Sequence, residues 1–165
     1  MESFTIIDRA TTEAPCAEEL FRKFPSLRDN KRLIITYYPN VYVHGGILPP
    51  QLKVHELIHI GQQSVLTPER WWYQYLNDSE FRLSQEIEAY AHQLIQFDAF
   101  PKRIREYSKF MIAQDLSSEF YGNIISFGEA ESRINKYAKS IRENEAKNKK
   151  NTPPTSSIFS GRGIE

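Results

Sequence analysis

The rhythm of apolar and polar residues changes once along this chain, near residue 50. Before that point short β-prone runs stand apart: Phe4 to Ile7, Leu33 to Tyr38 and Val41 to His44, the last two rich in β-branched and aromatic side chains. The turn-forming pair Pro39-Asn40 separates those two and predicts a hairpin. Gly45-Gly46 and Pro49-Pro50 then break the pattern, and apolar residues fall at helical intervals from Leu52 through Val54, Leu57 and Ile58 to Gln62 and beyond.

The remainder reads as helix. Thr67-Pro68-Glu69 offers an N-cap, a proline at the first helical position and an early carboxylate, so a helix carrying Trp71, Trp72, Tyr75 and Leu76 is expected there. Asp78 or Ser79 is suited to cap the next helix, Glu80 to Phe97, whose Phe81, Ile87, Tyr90, Ala91, Leu94 and Ile95 form one broad apolar stripe. Pro101 opens another helix to Leu116. Ser126-Phe127-Gly128-Glu129 spells a capping box for a last one, to about Asn148. The pattern predicts an α+β fold, mainly α, with a small N-terminal hairpin or sheet packed on a helical core. Residues 1–148 are expected to make one domain, and the polar, proline-bearing stretch 149–165 a flexible arm.

Composition narrows the function classes. The 165 residues are enough for one core and leave little room for a second. Twenty-one basic residues balance 21 acidic ones, so no global field favours nucleic acid or an anionic membrane. The runs Lys102-Arg103-Arg105 and Lys147-Lys149-Lys150 read as solvated helix surface. Cys16 is the only cysteine, which excludes an internal disulfide framework. The N-terminus lacks the pattern of a secretory signal, and no run approaches the roughly 18 apolar residues of a membrane span. A soluble, cytoplasmic protein is expected.

Against this background one segment carries chemistry. His55-Glu56-Leu57-Ile58-His59 has the form H-E-x-x-H. Residues four apart share a helical face, so two imidazoles can converge on one Zn2+, while the adjacent carboxylate can take a proton from the water that the ion activates. A catalytic zinc takes three protein ligands, so a third is needed. Glu86 and Glu88 lie downstream in the strongest amphipathic segment; two residues apart, they cannot both face one point. Glu86 is preferred in part because it shares a face with Arg82, Ala89 and Tyr90, and Glu88 reads best as part of a solvated surface.

These residues resemble the gluzincin metallopeptidases, zincins in which H-E-x-x-H on one helix is completed by a glutamate from a later helix, often within Glu-x-x-Ala-Asp. By that resemblance Glu86 matches the metal-binding glutamate, Ala89 the small packing residue, and Tyr90 stands where the family has an aspartate. More narrowly, residues 31 to 145 are similar to small metallopeptidase-like proteins encoded by bacteriophages and bacteria. The resemblance implies one Zn2+ on His55, His59 and Glu86, Glu56 as general base, and a peptide or protein substrate. It also points to Val41 to Gly46 as an edge strand for an extended substrate.

Other residues are candidates for support. One of Gln62 and Gln63 should continue the metal-facing side, and Gly61 would permit a close approach of another segment. His44 reads as a surface or supporting histidine, and His92 should point elsewhere. Tyr90, Tyr121, Tyr42 and Arg82 are the chemical types able to donate to an oxyanion, Tyr90 being taken as catalytic. Trp71, Trp72 and Tyr75 read as core under the site. The expected activity is therefore a zinc-dependent peptidase. A phage virion structural or assembly protein, engaging partners through the arm, is the rival, in the host cytoplasm or the virion.

Overall fold

A computed structural model describes residues 4–151. The fold is α+β and mainly α. Three short strands, β1 (Thr5–Asp8), β2 (Ile34–Tyr37) and β3 (Asn40–Val43), form a sheet in the order β1-β3-β2. β3 runs parallel to β1 and antiparallel to β2, with Ile6 opposite Val41 and Ile35 opposite Tyr42. The predicted hairpin forms, but its connection is Tyr38–Pro39, and Asn40 already belongs to β3.

Among the described residues six α-helices accompany the sheet: α1 (Ala17–Lys23), α2 (Lys53–Leu66), α3 (Pro68–Asn77), α4 (Ser79–Ile95), α5 (Lys102–Leu116) and α6 (Phe127–Asn151). Their ends follow the expected local chemistry. Thr67 Oγ1 accepts from the Arg70 amide, Asp78 accepts from the amides of Glu80 and Phe81, and Ser126 Oγ accepts from the Glu129 amide. Asp78, not Ser79, is thus the cap of α4. α4 occupies the middle of the helical layer, packed against α2, α3, α5 and α6, and its buried residues alternate between Glu86 with Ala89 and Tyr90 on one side and Leu83, Ile87 and Leu94 on another.

Two expectations fail here. No helix was predicted between the first two strands, yet α1 buries Ala17, Leu20 and Phe21, spaced three and four apart, with Glu18 and Glu19 in its first turn and Arg22 and Lys23 in its last. Two turns are too short for periodicity to stand out from its polar surroundings. The expectation of an edge strand at Val41 to Gly46 is also wrong: β3 is paired on both sides, and the free edges belong to β1 and β2. Beyond Val43 the chain leaves the sheet in a tight 3-10 turn, His44–Gly46, whose two glycines adopt positive φ.

At the C-terminal end α6 continues three residues beyond the expected boundary, so Lys149 and Lys150 are helical; residues 152–165 of the expected arm lie outside the described residues. From Arg142 to Lys150 every residue is exposed. Among the described residues, no helix is long and apolar enough to cross a membrane.

The core forms two main clusters. One joins α1, the sheet and α3 through Leu20, Phe21, Ile35, Tyr42, Trp71 and Tyr75; the other joins α4, α5 and α6 through Leu83, Ile87, Leu94, Leu116 and Ile134. Partly buried Phe120 packs against both. Helix α2 runs between them, its buried residues His55, Glu56, His59, Ile60 and Gln63 lying at helical spacing on one face.

Candidate metal centre

Of the side chains that α2 turns inward, three are ionisable. His55, Glu56 and His59 are 5%, 6% and 6% exposed, and Glu86 from α4 is 3% exposed. A buried carboxylate is unfavourable unless positive charge or hydrogen bonds compensate it. The compensation begins with the two imidazoles. His55 Nε2 lies 3.3 Å from Glu86 Oε2, His59 Nε2 lies 3.6 Å from Glu86 Oε1, and the two Nε2 atoms are 3.0 Å apart. Among the described residues, His55, His59 and Glu86 form a buried group able to hold a metal ion, with ligand atoms within 4.8 Å of one another.

The donor geometry fits such an ion. A tetrahedral site with bonds near 2.0–2.1 Å has edges of about 3.3 Å; His55 Nε2 lies 3.3 Å from Glu86 Oε2 and 3.0 Å from His59 Nε2, while His59 Nε2 approaches the other carboxylate oxygen, Oε1, at 3.6 Å. Among the described residues Glu86 Oε2 is buried without a hydrogen-bond partner, as expected of an oxygen whose natural partner is a cation. Glu88, the competing ligand, is not part of this group.

Proton affinities reflect the same crowding. Burial pulls His59 down, yet the neighbouring Glu86 carboxylate outweighs it and raises the imidazole to about 9. Burial would push Glu86 up, but the imidazoles of His59 and His55 hold its carboxyl well below the usual range. The trio therefore keeps a carboxylate ionised in the interior only by keeping positive charge beside it, which is the condition that a divalent ion would also satisfy.

Around the trio lies a supporting layer. Tyr75 OH donates to Glu86 Oε1 at 2.7 Å, and Gln62 Oε1 sits 2.8 Å from His59 Nδ1. Tyr90 presents its ring edge-on to His55 at 4.5 Å between centroids, and Trp71 does the same to His59 at 5.5 Å. On the other side of the helix face, Thr36 Oγ1 of β2 donates to Glu56 Oε2 at 2.6 Å. The sheet thus orients Glu56 while α3 and α4 hold the third member of the trio.

A cavity of about 860 Å³ opens on these groups, with His55, Glu56, His59, Glu86, Tyr90 and Tyr121 among its walls. That volume lies within the range of small-molecule and short-peptide sites. Tyr90 OH and Tyr121 OH are 2.8 Å apart, a hydroxyl pair that can direct one proton outward. Burial raises both phenols well above their ordinary value, so they remain neutral donors. Arg82 is unsuited to that task. Its guanidinium is buried and donates to the carbonyls of Tyr75 and Tyr121, which makes it a brace between α3, α4 and the chain after α5. Tyr42 is in the core.

Gln63 and Gln62 divide their roles. Gln63, fully buried, donates to Thr36 O and accepts from the Tyr38 amide, fastening α2 to the outer edge of β2. Trp71, Trp72 and Tyr75 are core, as expected, yet each also uses its polar tip: Trp71 on Gln85, Trp72 on Thr36 O, Tyr75 on Glu86. Glu88 departs from the solvated surface expected of it: half-buried, it accepts from Gln62 Nε2 at 2.9 Å. His44 is exposed on the cavity rim, and His92 takes no part in the trio. The missed partners, Thr36, Tyr75 and Glu88, carry no local signal in sequence, because each meets its target from a different element.

Comparison of the chain with protein-family models, with curated proteins and with solved structures gives no match.

Proposed function

We propose that this protein is a zinc-dependent hydrolase that cleaves peptide bonds, with zinc held by His55, His59 and Glu86 and with Glu56 as general base. The observation that carries the reading is the convergence of two imidazole nitrogens and a buried carboxylate beside a fourth ionisable group on one cavity wall. Two nitrogens and one carboxylate oxygen suit zinc among the common divalent ions. When bound, such an ion polarises a carbonyl oxygen and makes a water acidic enough to act as nucleophile near neutral pH.

The chain's own groups supply the rest. Glu56, held by the Thr36 hydroxyl, takes a proton from the attacking water and passes it to the departing amine. The Tyr90–Tyr121 hydroxyl pair, on the cavity wall, is a neutral donor suited to charge developing on the carbonyl oxygen. The supporting residues keep the trio in one geometry, so little reorganisation is needed during the reaction. The test is metal analysis of the purified protein together with a Glu56→Gln variant assayed on peptide libraries. Stoichiometric zinc in both, with turnover only in the parent, is the expected result; equal turnover in both removes Glu56 from its role.

A second reading, a phage structural or assembly protein working through its C-terminal arm, draws on the exposure of every residue from Arg142 to Lys150. Truncation after Asn148 should then abolish partner binding, and unchanged assembly would refute it. Either activity would be exercised in a host cytoplasm or a virion.

A further inference from the structure

Gln62 has an unusual set of neighbours for a half-buried amide. Its Nε2 lies 2.9 Å from Glu88 Oε2 and 3.2 Å from the Gln85 carbonyl oxygen, while its Oε1 lies 2.8 Å from His59 Nδ1. Carboxylate and carbonyl oxygens only accept hydrogen bonds. The amide nitrogen must therefore face them, since the reversed amide would set its oxygen against two other acceptors. With the amide fixed, Oε1 can only accept, and His59 Nδ1 must carry the proton. A neutral His59 then presents the lone pair of Nε2 to Glu86 and His55.

We infer that Glu88 and Gln62 are positioning residues that set the tautomer of His59 and so prepare its Nε2 for a divalent cation. The inference rests on the metal-binding reading of the trio and adds to it an order of command: carboxylate orients amide, amide orients imidazole. Tyr137 of α6 lies within electrostatic reach of Glu88, so α6 stands beside the far end of the relay. Nothing comparable acts on His55, whose Nδ1 is buried without a hydrogen-bond partner among the described residues.

The relay makes a distinctive prediction, because an amide needs Glu88 to choose its orientation and a carboxylate does not. Titration with Co2+ alone should show Gln62→Leu weakening binding by about 10- to 100-fold, the range typical of lost partners to a ligand histidine. Glu88→Ala should weaken it several-fold, and the pair Gln62→Leu with Glu88→Ala should be no weaker than Gln62→Leu, since both break one path. Gln62→Glu placed in the Glu88→Ala background should restore binding. Additive losses, or no rescue, would overturn the relay.

Nitrogen-15 spectra of the histidines give a second readout that does not depend on activity or on metal. Recorded well above pH 9, where the imidazole that Glu86 raises has lost its second proton, His59 should be protonated at Nδ1 in the parent and become a tautomer mixture in Glu88→Ala. A parent with the proton on Nε2 refutes the relay. A parent that takes up no Co2+ yet shows the Nδ1 tautomer leaves the relay standing and sinks the metal reading instead.

Discussion

The two histidines of the motif sit one helical turn apart on α2, and their surroundings differ sharply. His59 is enclosed: Gln62 meets its Nδ1, Trp71 covers its ring, and Tyr75 secures the Glu86 oxygen nearest to it. His55 faces Tyr90 edge-on and has no partner on Nδ1 among the described residues. The same side holds the Tyr90–Tyr121 hydroxyl pair. On the proposed function this divides the labour: the braced side of His59 would hold the ion, and the side of His55, equally buried but with Nδ1 unbraced, would meet the substrate and is the open side in that sense. Rigid support is needed where geometry must not change, and free donors are needed where charge will develop.

The largest effect should come from removing the group shared by both sides. Glu86→Ala should lower Zn2+ affinity by on the order of 10³-fold or more, leaving a buried site with two ligands, whereas Glu88→Ala should lose only several-fold. Competition titration against a chelating dye measures both, and equal losses would erase the distinction between ligand and support. Next in size is Glu56→Gln, which should reduce kcat about 10²- to 10⁴-fold with Zn2+ content unchanged.

Smaller effects sharpen the contrast between the sides. On the enclosed side, Tyr75→Phe deletes a donor to a buried carboxylate and should cost about 1–3 kcal/mol of stability in the metal-free protein, read from urea unfolding. It should also weaken Zn2+ binding. On the open side, Tyr90→Phe keeps the ring against His55, so Zn2+ affinity should hold within about threefold while kcat falls about tenfold or more. If Tyr90→Phe instead releases the metal, the two sides are not separate in function.

The smallest effect lies far from the site, and it calibrates the others. Asp98, just after α4, is paired with Arg142 of α6 through two contacts of 2.7 Å, and this hydrogen-bonded guanidinium holds the carboxyl below its ordinary value of 3.8. A lowered carboxyl contributes stability above its unfolded pKa and loses it as pH falls through the folded one. Asp98→Asn should therefore destabilise near pH 7 but have little effect at the acid end of that window. Both side chains are about half exposed, so the change should be at most about 1 kcal/mol. A site variant with no larger effect than this one would not be acting through the buried trio.

The comparison also shows which kinds of information the chain carries openly. The helix bearing His55 and His59, and the amphipathic helix bearing Glu86, were readable because helical spacing is a local property of sequence. The caps Thr67 of α3 and Ser126 of α6 were readable for the same reason, and that of α4 was narrowed to Asp78 or Ser79, of which the structure uses Asp78. Helix α1 was not, since two turns barely sample a 3.6-residue period. Strand neighbours were not either: the sequence around Val41 says that it is extended, but only sheet assembly decides that β3 lies in the middle.

Local order alone therefore determined that two imidazoles would share a helical face and that a carboxylate would lie on a later amphipathic helix. Tertiary packing decided the rest. It selected Glu86 over Glu88, because the way α4 lies against α2 turns one carboxylate into the interior and leaves the other at Gln62. It also brought Thr36 to Glu56 and Tyr75 to Glu86 across 20 and 11 residues of sequence. The physical reason is range: torsional preference and hydrophobic period act over a few residues, whereas a buried polar group accepts whichever distant partner the closed core delivers to it.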